Sequence, residues 1–321
     1  MLIIKKFTET DLEFNELARI DNLVNHDSIN HPDDDKRDWA IRDKSLIRDR
    51  LLLYKDSLLI GAMYYGQGRD KNNRTTFFTL NIDPAYNTQK PRELLYNRML
   101  KQIKSFDSNK ILTGIYEHSN YDLVKKFLIE NQFKHVQTNR EYLCDITKIN
   151  IEKYQPLIEK LEREGIKFYD SKEEMREWPN HYKKLEELIW TYSKEFPIPN
   201  GVEHTRMPFE QAMKIQIDFE ENSYGTEIIA VLNEEYIGST DLEVYPKTEP
   251  HKAWTEGLGV LKDFRRKGIA TALKIKAIER LLEKGVTEVR TDNEENNPMY
   301  KINVNLGFKS VPFSLEYMKE I

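Results

Sequence analysis

The segment Val260-Leu-Lys-Asp-Phe-Arg265-Arg-Lys-Gly268-Ile-Ala270-Thr-Ala-Leu-Lys274 decides the fold of this chain. A short apolar run leads into a basic turn that contains Gly268, and a strongly periodic helix is predicted to begin at that glycine. One face of this helix is apolar. It consists of Ile269, Leu273, Ala277, Ile278, Leu281 and Leu282. The pattern therefore predicts a strand, a tight turn and a helix that packs on a sheet.

The turn before this helix has the properties of an anion site. The first turn of a helix offers unpaired backbone N–H groups and the positive end of the helix dipole. Gly268 allows a ligand to approach the backbone closely, and Arg265, Arg266 and Lys267 add positive charge. These features suit a pyrophosphate. A solvated basic turn without a ligand is the plain structural alternative.

Three separated motifs then resemble one family. Arg265-x-x-Gly268-x-Ala270 is similar to the Q/R-x-x-G-x-G/A signature of the GCN5-related N-acetyltransferases, the GNAT superfamily. A strand is predicted at Val286–Thr291. Asn296-Asn-Pro-Met299 and Leu306-Gly307-Phe308 follow, where many members carry an N-x-x-A helix that ends in x-G-F. The resemblance covers residues 226–321 and extends to bacterial two-domain acetyltransferases, including relatives of mycothiol synthase.

Length and composition limit the class of protein. The 321 residues suggest two domains. A net charge of −5 gives no support for a nucleic-acid partner, and no apolar window is long enough to predict a membrane span. The apolar run at the N-terminus is too short for a signal peptide, and Cys144 alone cannot form an intramolecular disulfide. We therefore expect a soluble cytoplasmic protein.

The chain also contains a distant internal repeat. Residues 50–65 and 227–242 both read as hairpins with an Ile-Gly pair in the second strand, and their glycines are 177 residues apart. Lys90 aligns with Gly268 at a spacing of 178, and Phe133 aligns with Phe308 at 175. One nearly constant spacing indicates two copies of one fold.

We therefore predict an α/β fold with two tandem GNAT-like domains, each a mixed, mostly antiparallel sheet flanked by helices. The predicted domains are residues 1–150, a degenerate copy, and residues 151–321, the copy that binds CoA.

The first copy has a different turn. Asn87, Lys90 and Arg92 stand at the positions of the arginine, glycine and alanine of the signature. Pro91 removes a backbone donor where the anion would bind. We expect this copy to have lost pyrophosphate binding and to have kept the scaffold, which could shape a substrate cleft or hold a partner.

The resemblance implies acetyl-CoA as the acyl donor. In the family, the fourth strand splays from the fifth, and its free backbone groups pair with the pantetheine arm. By that resemblance Leu258, Gly259 and Val260 line the arm, and a backbone N–H near Val260 faces the thioester oxygen. Asn296 falls on the family's N-x-x-A asparagine, which contacts CoA or caps the next helix, and Asn293 is a further candidate in the same loop. The predicted phosphate turn consists of Arg265, Arg266, Lys267, Gly268, Ile269, Ala270 and Thr271.

The catalytic groups are less well specified. An amine with a pKa near 10 needs a general base at neutral pH. Glu256 and Thr255 are the candidates, and only one of them can face the cleft because side chains alternate along a strand. Thr255 aligns with the family's glutamate. The family's general acid is a tyrosine, and Asn303 stands at its position. Tyr300, on the same predicted helix, is a candidate substitute, and a packing role is the equal alternative.

These residues predict an N-acetyltransferase that moves an acetyl group from acetyl-CoA to a primary amine by direct attack in a ternary complex. The acceptor is a small-molecule or peptide amine. A non-catalytic acyl-CoA-binding or interaction protein is the alternative, since the tyrosine is missing, and a protein-lysine acetyltransferase is another. The sequence does not decide whether the protein forms a homodimer. No metal is expected, and His31–Asp38 is interpreted as a solvated acidic loop.

Overall fold

The chain forms two compact units. The computed structural model describes residues 1–25, 28–70, 75–116, 121–200 and 202–321, without the side chains of residues 121, 312 and 313. The first unit contains residues 1–139, 198–207 and 312–321, and the second contains residues 140–197 and 208–311. The boundary predicted between residues 150 and 151 thus lies inside the second unit. The units differ from the predicted ranges because residues 198–207 and 312–321 belong to the first unit and residues 140–150 to the second.

The first unit is a mostly antiparallel sheet with helices packed against it. Its strands are β1 (Leu2–Lys6), β2 (Arg48–Lys55), β3 (Leu58–Gln67), β4 (Thr75–Ile82) and β5 (Lys110–Tyr116). Its helices are α1 (Asp11–Val24), α2 (Pro32–Ile41), α3 (Gln89–Ile103) and α4 (Tyr121–Glu130). β4 and β5 are parallel, whereas the pairs from β1 to β4 are antiparallel. The sheet continues from β5 to β12 (Lys309–Glu320) and then to β6 (Lys134–Asp145).

The second unit repeats this plan. Its strands are the last part of β6, β7 (Lys167–Asp170), β8 (Thr226–Leu232), β9 (Glu235–Val244), β10 (Lys252–Val260) and β11 (Glu288–Glu294), in the sheet order β6-β11-β10-β9-β8-β7. Its helices are α5 (Gln155–Arg163), α6 (Ser171–Glu174), α7 (His181–Ser193), α8 (Phe209–Asn222), α9 (Ile269–Glu283) and α10 (Tyr300–Asn305).

The two units share details that confirm the predicted repeat. The hairpins β2–β3 and β8–β9 each contain a register shift, after Leu53 and after Ala230. β4 pairs with β5 in parallel over three residues, and β10 pairs with β11 in the same way. Helices α3 and α9 both have 15 residues. The predicted α/β class, with two tandem GNAT-like sheets flanked by helices, is therefore confirmed.

The apolar face predicted for α9 is also confirmed. Its members Ile269, Leu273, Ala277, Ile278 and Leu281 are buried in the core of the second unit, together with strand residues of β8, β9 and β10. The prolines of Phe196-Pro-Ile-Pro-Asn-Gly201 predict a loop, because they cannot continue a helix. Residues 196–200 have no regular structure, and Gly201 lies outside the described residues. Gly165 and Gly307 follow α5 and α10 with positive φ angles of 90° and 94°. Glycine tolerates this conformation, which ends both helices.

The acidic segment near residue 31 was predicted wrongly. Residues 32–41 form helix α2 instead of a solvated loop, because Pro32 suits the first turn and His31 accepts a hydrogen bond from the N–H of Asp33. Asp35 is buried, and its carboxylate receives two hydrogen bonds from the guanidinium of Arg50, at 2.7 and 2.5 Å. Across the described residues there is no group of three or more His, Cys, Asp or Glu side chains that could hold a metal ion. None of the described helices is both long and apolar enough to span a membrane.

The final strand completes the first unit. Ser314–Glu320 of β12 pairs antiparallel with Tyr116–Lys110 of β5, and Leu315 and Tyr317 are buried in the first unit's core. We predict that Leu315→Ala destabilises this unit by roughly 2–5 kcal/mol, because it leaves a cavity in a packed core. Hydrogen exchange read by mass spectrometry should show faster exchange across residues 110–116.

The matched control is Glu320→Ala, which changes an exposed residue at the end of the same strand. It should leave exchange in β5 unchanged. Faster exchange in α9 with normal protection in β5 would show that the last strand stabilises the second unit instead.

Candidate functional site

The site in the second unit is built on two strands that separate. β10 and β11 pair in parallel only at Lys252–Trp254 and Glu288–Arg290. β10 then continues to Val260 and β11 to Glu294. In the described structure, the edge of β10 that faces β11 therefore has no strand partner from residue 255 to residue 260. Unpaired backbone groups at such an edge are available to an extended ligand.

A β-bulge lies at the point of separation. Thr255 pairs with Leu242 and Gly257 pairs with Asp241, so Glu256 is the extra residue. The Trp254 Nε1 and Thr255 Oγ1 atoms beside it are buried and have no hydrogen-bond partner among the described residues. Buried polar atoms without partners are rare in folded proteins, and a ligand is one of the established reasons for them. The bulge thus turns Glu256 out of the regular alternation and leaves two polar atoms for a bound molecule.

The basic turn at the far end of β10 presents a row of backbone amides. Arg266 and Gly268 have positive φ angles of 62° and 92°, and α9 starts at Ile269 without a side-chain cap. No hydrogen bond within the described structure uses the N–H groups of residues 266–271. Arg266 and Lys267 are exposed beside them. The arrangement is a nest of N–H donors at the positive end of a helix dipole, as the sequence predicted for an anion site.

Gly268 is required for a reason that the sequence did not reveal. A Cβ atom built on it would lie 2.7 Å from Cδ1 of Leu157 on α5. The space beside this glycine is therefore filled by a core side chain of the same unit. The positive φ and this close contact together explain the glycine.

The side chain of Arg265 stabilises the basic turn between β10 and α9 through two contacts. Its Nε donates to the carbonyl oxygen of Val260 at 2.8 Å, and its Nη1 lies 2.6 Å from Oε2 of Glu195. The hydrogen bond from Arg265 is the main cause that lowers the pKa of the Glu195 carboxyl. These contacts hold the end of β10 and the turn in a fixed relation, and the role of Arg265 in phosphate binding stays a prediction.

One face of the sheet carries an unusual row of carboxylates. Glu227, Asp241 and Gly257 are directly paired across β8, β9 and β10. A Cβ atom on Gly257 would lie 2.6 Å from Oδ1 of Asp241. On the same face the ring of Tyr192 lies against Gly259, where a Cβ would approach it to 2.2 Å. Gly257 and Gly259 thus make room for Asp241 and Tyr192.

These carboxyl groups perturb one another. Burial raises the pKa of Glu227 to about 7. Burial also raises the pKa of Asp241 well above its usual value, and the charges of Glu227 and Glu256 add to the effect. Glu256 is an exposed residue, yet its pKa is raised. Desolvation is the larger cause, and the charge of Asp292 is the second. No cation of the described residues is among the main causes acting on these three pKa values, so the face is suited to receive a cationic group.

A series of hydrogen-bonded polar side chains lies at the position where the family has its tyrosine. Lys274 Nζ donates to Asn303 Oδ1 at 2.6 Å, and Asn303 Nδ2 donates to Asn293 Oδ1 at 2.8 Å. Burial lowers the pKa of Lys274 to about 7. The lysine therefore fixes the orientation of the Asn303 amide, so that its NH₂ group faces Asn293. Tyr300 packs against the core of the second unit.

Asn296 is bound locally. Its backbone N–H and its side-chain amide both donate to the carboxylate of Glu294, each at 2.9 Å. Helix α10 begins at Tyr300 with Met299 before it and no side-chain cap. Asn296 therefore does not cap this helix, and Pro298 lies two residues before it rather than at its first position.

The structure places several of the predicted residues along the open edge of β10. Thr255, Glu256, Leu258, Gly259 and Val260 lie along β10, and the amides of residues 266–271 follow it. Sequence reasoning missed Tyr192, Glu227, Asp241 and Lys274. A signal existed for one of them, since Glu227 is the one carboxylate in the mostly apolar strand β8.

Comparison with known proteins agrees with this geometry. Residues 185–304 match the model of the acetyltransferase (GNAT) family. No curated protein has a matching sequence. A tandem GNAT protein from the clavulanic acid biosynthesis pathway has a similar structure, with a TM-score of 0.78 and 14% identity over 100% of this chain and 98% of that one. A GCN5-related N-acetyltransferase from Sphaerobacter thermophilus has a TM-score of 0.67 and 13% identity over 99% and 95%.

A third similar structure is a region of a larger protein. It is the GCN5-related glucosamine N-acetyltransferase region of a fungal multi-domain GH3 beta-N-acetylglucosaminidase, with a TM-score of 0.73, 14% identity and coverage of 99% of this chain but 38% of that one. The narrower likeness to relatives of mycothiol synthase stays a prediction. The chain therefore carries an acetyltransferase (GNAT) family domain in its second half and has, along its whole length, the fold of the tandem GNAT proteins.

Proposed function

We propose that the second unit transfers an acetyl group from acetyl-CoA to a primary amine by direct attack in a ternary complex. One observation carries the proposal. The unpaired edge of β10 leads from the amide nest at residues 266–271 to the carboxylates around Glu256. A long donor with a phosphate at one end and a reactive acyl group at the other fits this arrangement.

The residues present fit acetyl-CoA. The amides of residues 266–271 would hold the pyrophosphate, with Arg266 and Lys267 adding charge. The edge formed by Leu258, Gly259 and Val260 would pair with the amide groups of the pantetheine arm. Bound there, acetyl-CoA supplies the thioester carbonyl and the acetyl group. Thr255 Oγ1, which has no partner in the described structure, lies close to the bulge where the reacting end would be.

The carboxylate face supports an amine acceptor. An amine arrives protonated at neutral pH. Its positive charge favours the ionised form of these carboxyl groups, and the ionised groups in turn stabilise the ammonium. Glu256 is the candidate base because the bulge turns it toward Asp241 and Asp292, whose charges couple to it. Accepting the ammonium proton makes the amine nucleophilic. Asp241 and Glu227 hold the acceptor in this interpretation.

In this scheme the leaving thiolate is stabilised and protonated without the family's tyrosine. The Asn303 amide is fixed by Lys274 and Asn293, so it can donate a hydrogen bond but cannot supply a proton. The proton taken by Glu256 therefore returns to the thiolate through solvent in this scheme. Because Asn303 stands in place of the tyrosine, a protein that binds acyl-CoA without turnover is the alternative function. CoA release measured on an amine panel that includes glucosamine distinguishes the two readings.

The donor site can be tested through one charge of the turn. We predict that Lys267→Glu weakens acetyl-CoA binding about tenfold, because it places a carboxylate beside the proposed pyrophosphate position. Isothermal titration calorimetry measures this change directly. The loss should shrink as salt is added, because salt screens exposed charges.

Lys262→Glu is the matched control. It changes the same charge on an exposed lysine in the short helical turn before the nest. An equal loss in both variants would mean that general charge controls the affinity, and the nest would lose its assigned role.

The base can be tested through its pH dependence. If Glu256 accepts the proton, Glu256→Gln should lower kcat by roughly 10²–10⁴-fold. The charge of Asp292 raises the pKa of Glu256, so Asp292→Asn should lower that pKa and keep Glu256 ionised in more acidic solution. The acidic limb of the kcat/KM profile should therefore move to lower pH in Asp292→Asn.

The control here is Glu288→Gln, which removes a charge at the beginning of the same strand, β11. Its pH profile should match the wild type. An acidic limb that stays in place in Asp292→Asn would rule out Glu256 as the titrating base and direct attention to Asp241.

A further inference from the structure

The first unit contains a cavity where its own parallel strands separate. β4 pairs with β5 only over Thr75–Phe77, and both strands then continue apart. A cavity of about 190 Å³ lies in this gap. Its wall is mostly apolar and includes Phe78, Leu80, Ile82, Ile115, Phe127 and Leu128. Thr79 and Tyr116, which also line it, are exposed, so the cavity opens to solvent on that side.

The one charged group in the described wall of this cavity is a buried arginine. Arg92, from the first turn of α3, is only 3% exposed. The single hydrogen bond of its guanidinium goes to Oδ1 of Asn87, another lining residue. Burial lowers the pKa of Arg92, and no charged neighbour contributes to the shift. Arg92 thus has five N–H donors, one amide partner and no carboxylate partner in the described structure.

A buried charge in this state is costly. Removing a guanidinium from water without a counter-charge costs free energy that one neutral hydrogen bond does not offset. Two described carboxylates of the first unit contact other residues. Asp21 accepts hydrogen bonds from Tyr64 and Asn81, and Glu316 lies over Gly114 from the neighbouring strand β12. The cavity is the space left to the remaining N–H donors of Arg92.

We infer that this cavity binds a compact organic carboxylate. The carboxylate would take the planar guanidinium of Arg92 as a two-point partner, and an apolar body would lie among the surrounding Phe, Leu and Ile side chains. A single cation suits a singly charged head group better than a phosphate dianion. The neighbouring turn, with Lys90 and Pro91 in place of the amide nest, does not suit a pyrophosphate.

The cavity volume limits the size of the ligand. An engineered apolar cavity of about 150 Å³ in another protein is large enough for benzene. A volume of about 190 Å³ therefore accommodates a six-membered ring together with a carboxylate. Benzoate and phenylacetate are suitable probes, and benzamide is the neutral probe of the same shape as benzoate.

The test uses the full chain and isothermal titration calorimetry. The wild type should bind benzoate at least tenfold more tightly than benzamide. Arg92→Met should lose this preference, with benzoate binding weakened at least tenfold and benzamide binding changed less than threefold. Lys90→Met, which removes an exposed positive charge from the same helical turn, should keep the wild-type preference.

A second measurement is made on the wild type, and a conservative variant serves only to assign its signal. In the wild type, benzoate but not benzamide should shift one arginine Nε–H signal in two-dimensional NMR, and that signal should be missing in Arg92→Lys. Equal affinities for benzoate and benzamide, or benzoate binding that is unchanged in Arg92→Met, would overturn the inference. Displacement of benzoate by lower concentrations of inorganic phosphate would overturn the carboxylate assignment.

Discussion

The early separation of β10 from β11 is the constraint on which the second unit's site depends. If β10 and β11 paired along their whole length, no backbone edge would be left for a ligand. Here three paired residues hold the strands together, and six further residues of β10 keep their outer edge without a strand partner in the described structure. The bulge at Glu256 lies where the pairing stops, so a carboxylate, two orphaned polar atoms and the open edge meet at one place.

The same backbone plan supports different chemistry in the two units. β4 and β5 separate as β10 and β11 do, so the scaffold has been kept in both copies. The difference lies at the start of the following helix. In the second unit, glycine at position 268 and exposed cations leave an amide nest, whereas in the first unit Arg92 reaches back into the gap itself. The two units therefore favour different anions. The first offers a buried cation in a small apolar cavity, and the second offers a row of backbone amides beside an open strand edge.

The sequence predicted local features well because they depend on near neighbours. The turn at Gly268, the apolar face of α9 and the two hairpins follow from periodicity and from backbone conformations that few residues tolerate. The exchange of the last strand into the first unit was not predictable, since it depends on pairing between residues more than 190 positions apart, as for Ser314 and Tyr116. Helix α2 was missed because its aspartates suggested solvent, and only the structure shows that Arg50 pairs with Asp35. Lys274 was missed for a related reason, because nothing local marks a lysine on a helix as buried.

We expect acetyl-CoA to bind to the second unit and not to the first. A crystal structure of the full chain with acetyl-CoA would decide this. It should show one molecule between β10 and β11, with its pyrophosphate on the amides of residues 266–271 and its thioester beside Glu256. A molecule bound between β4 and β5, with the groove of the second unit vacant, would contradict this expectation.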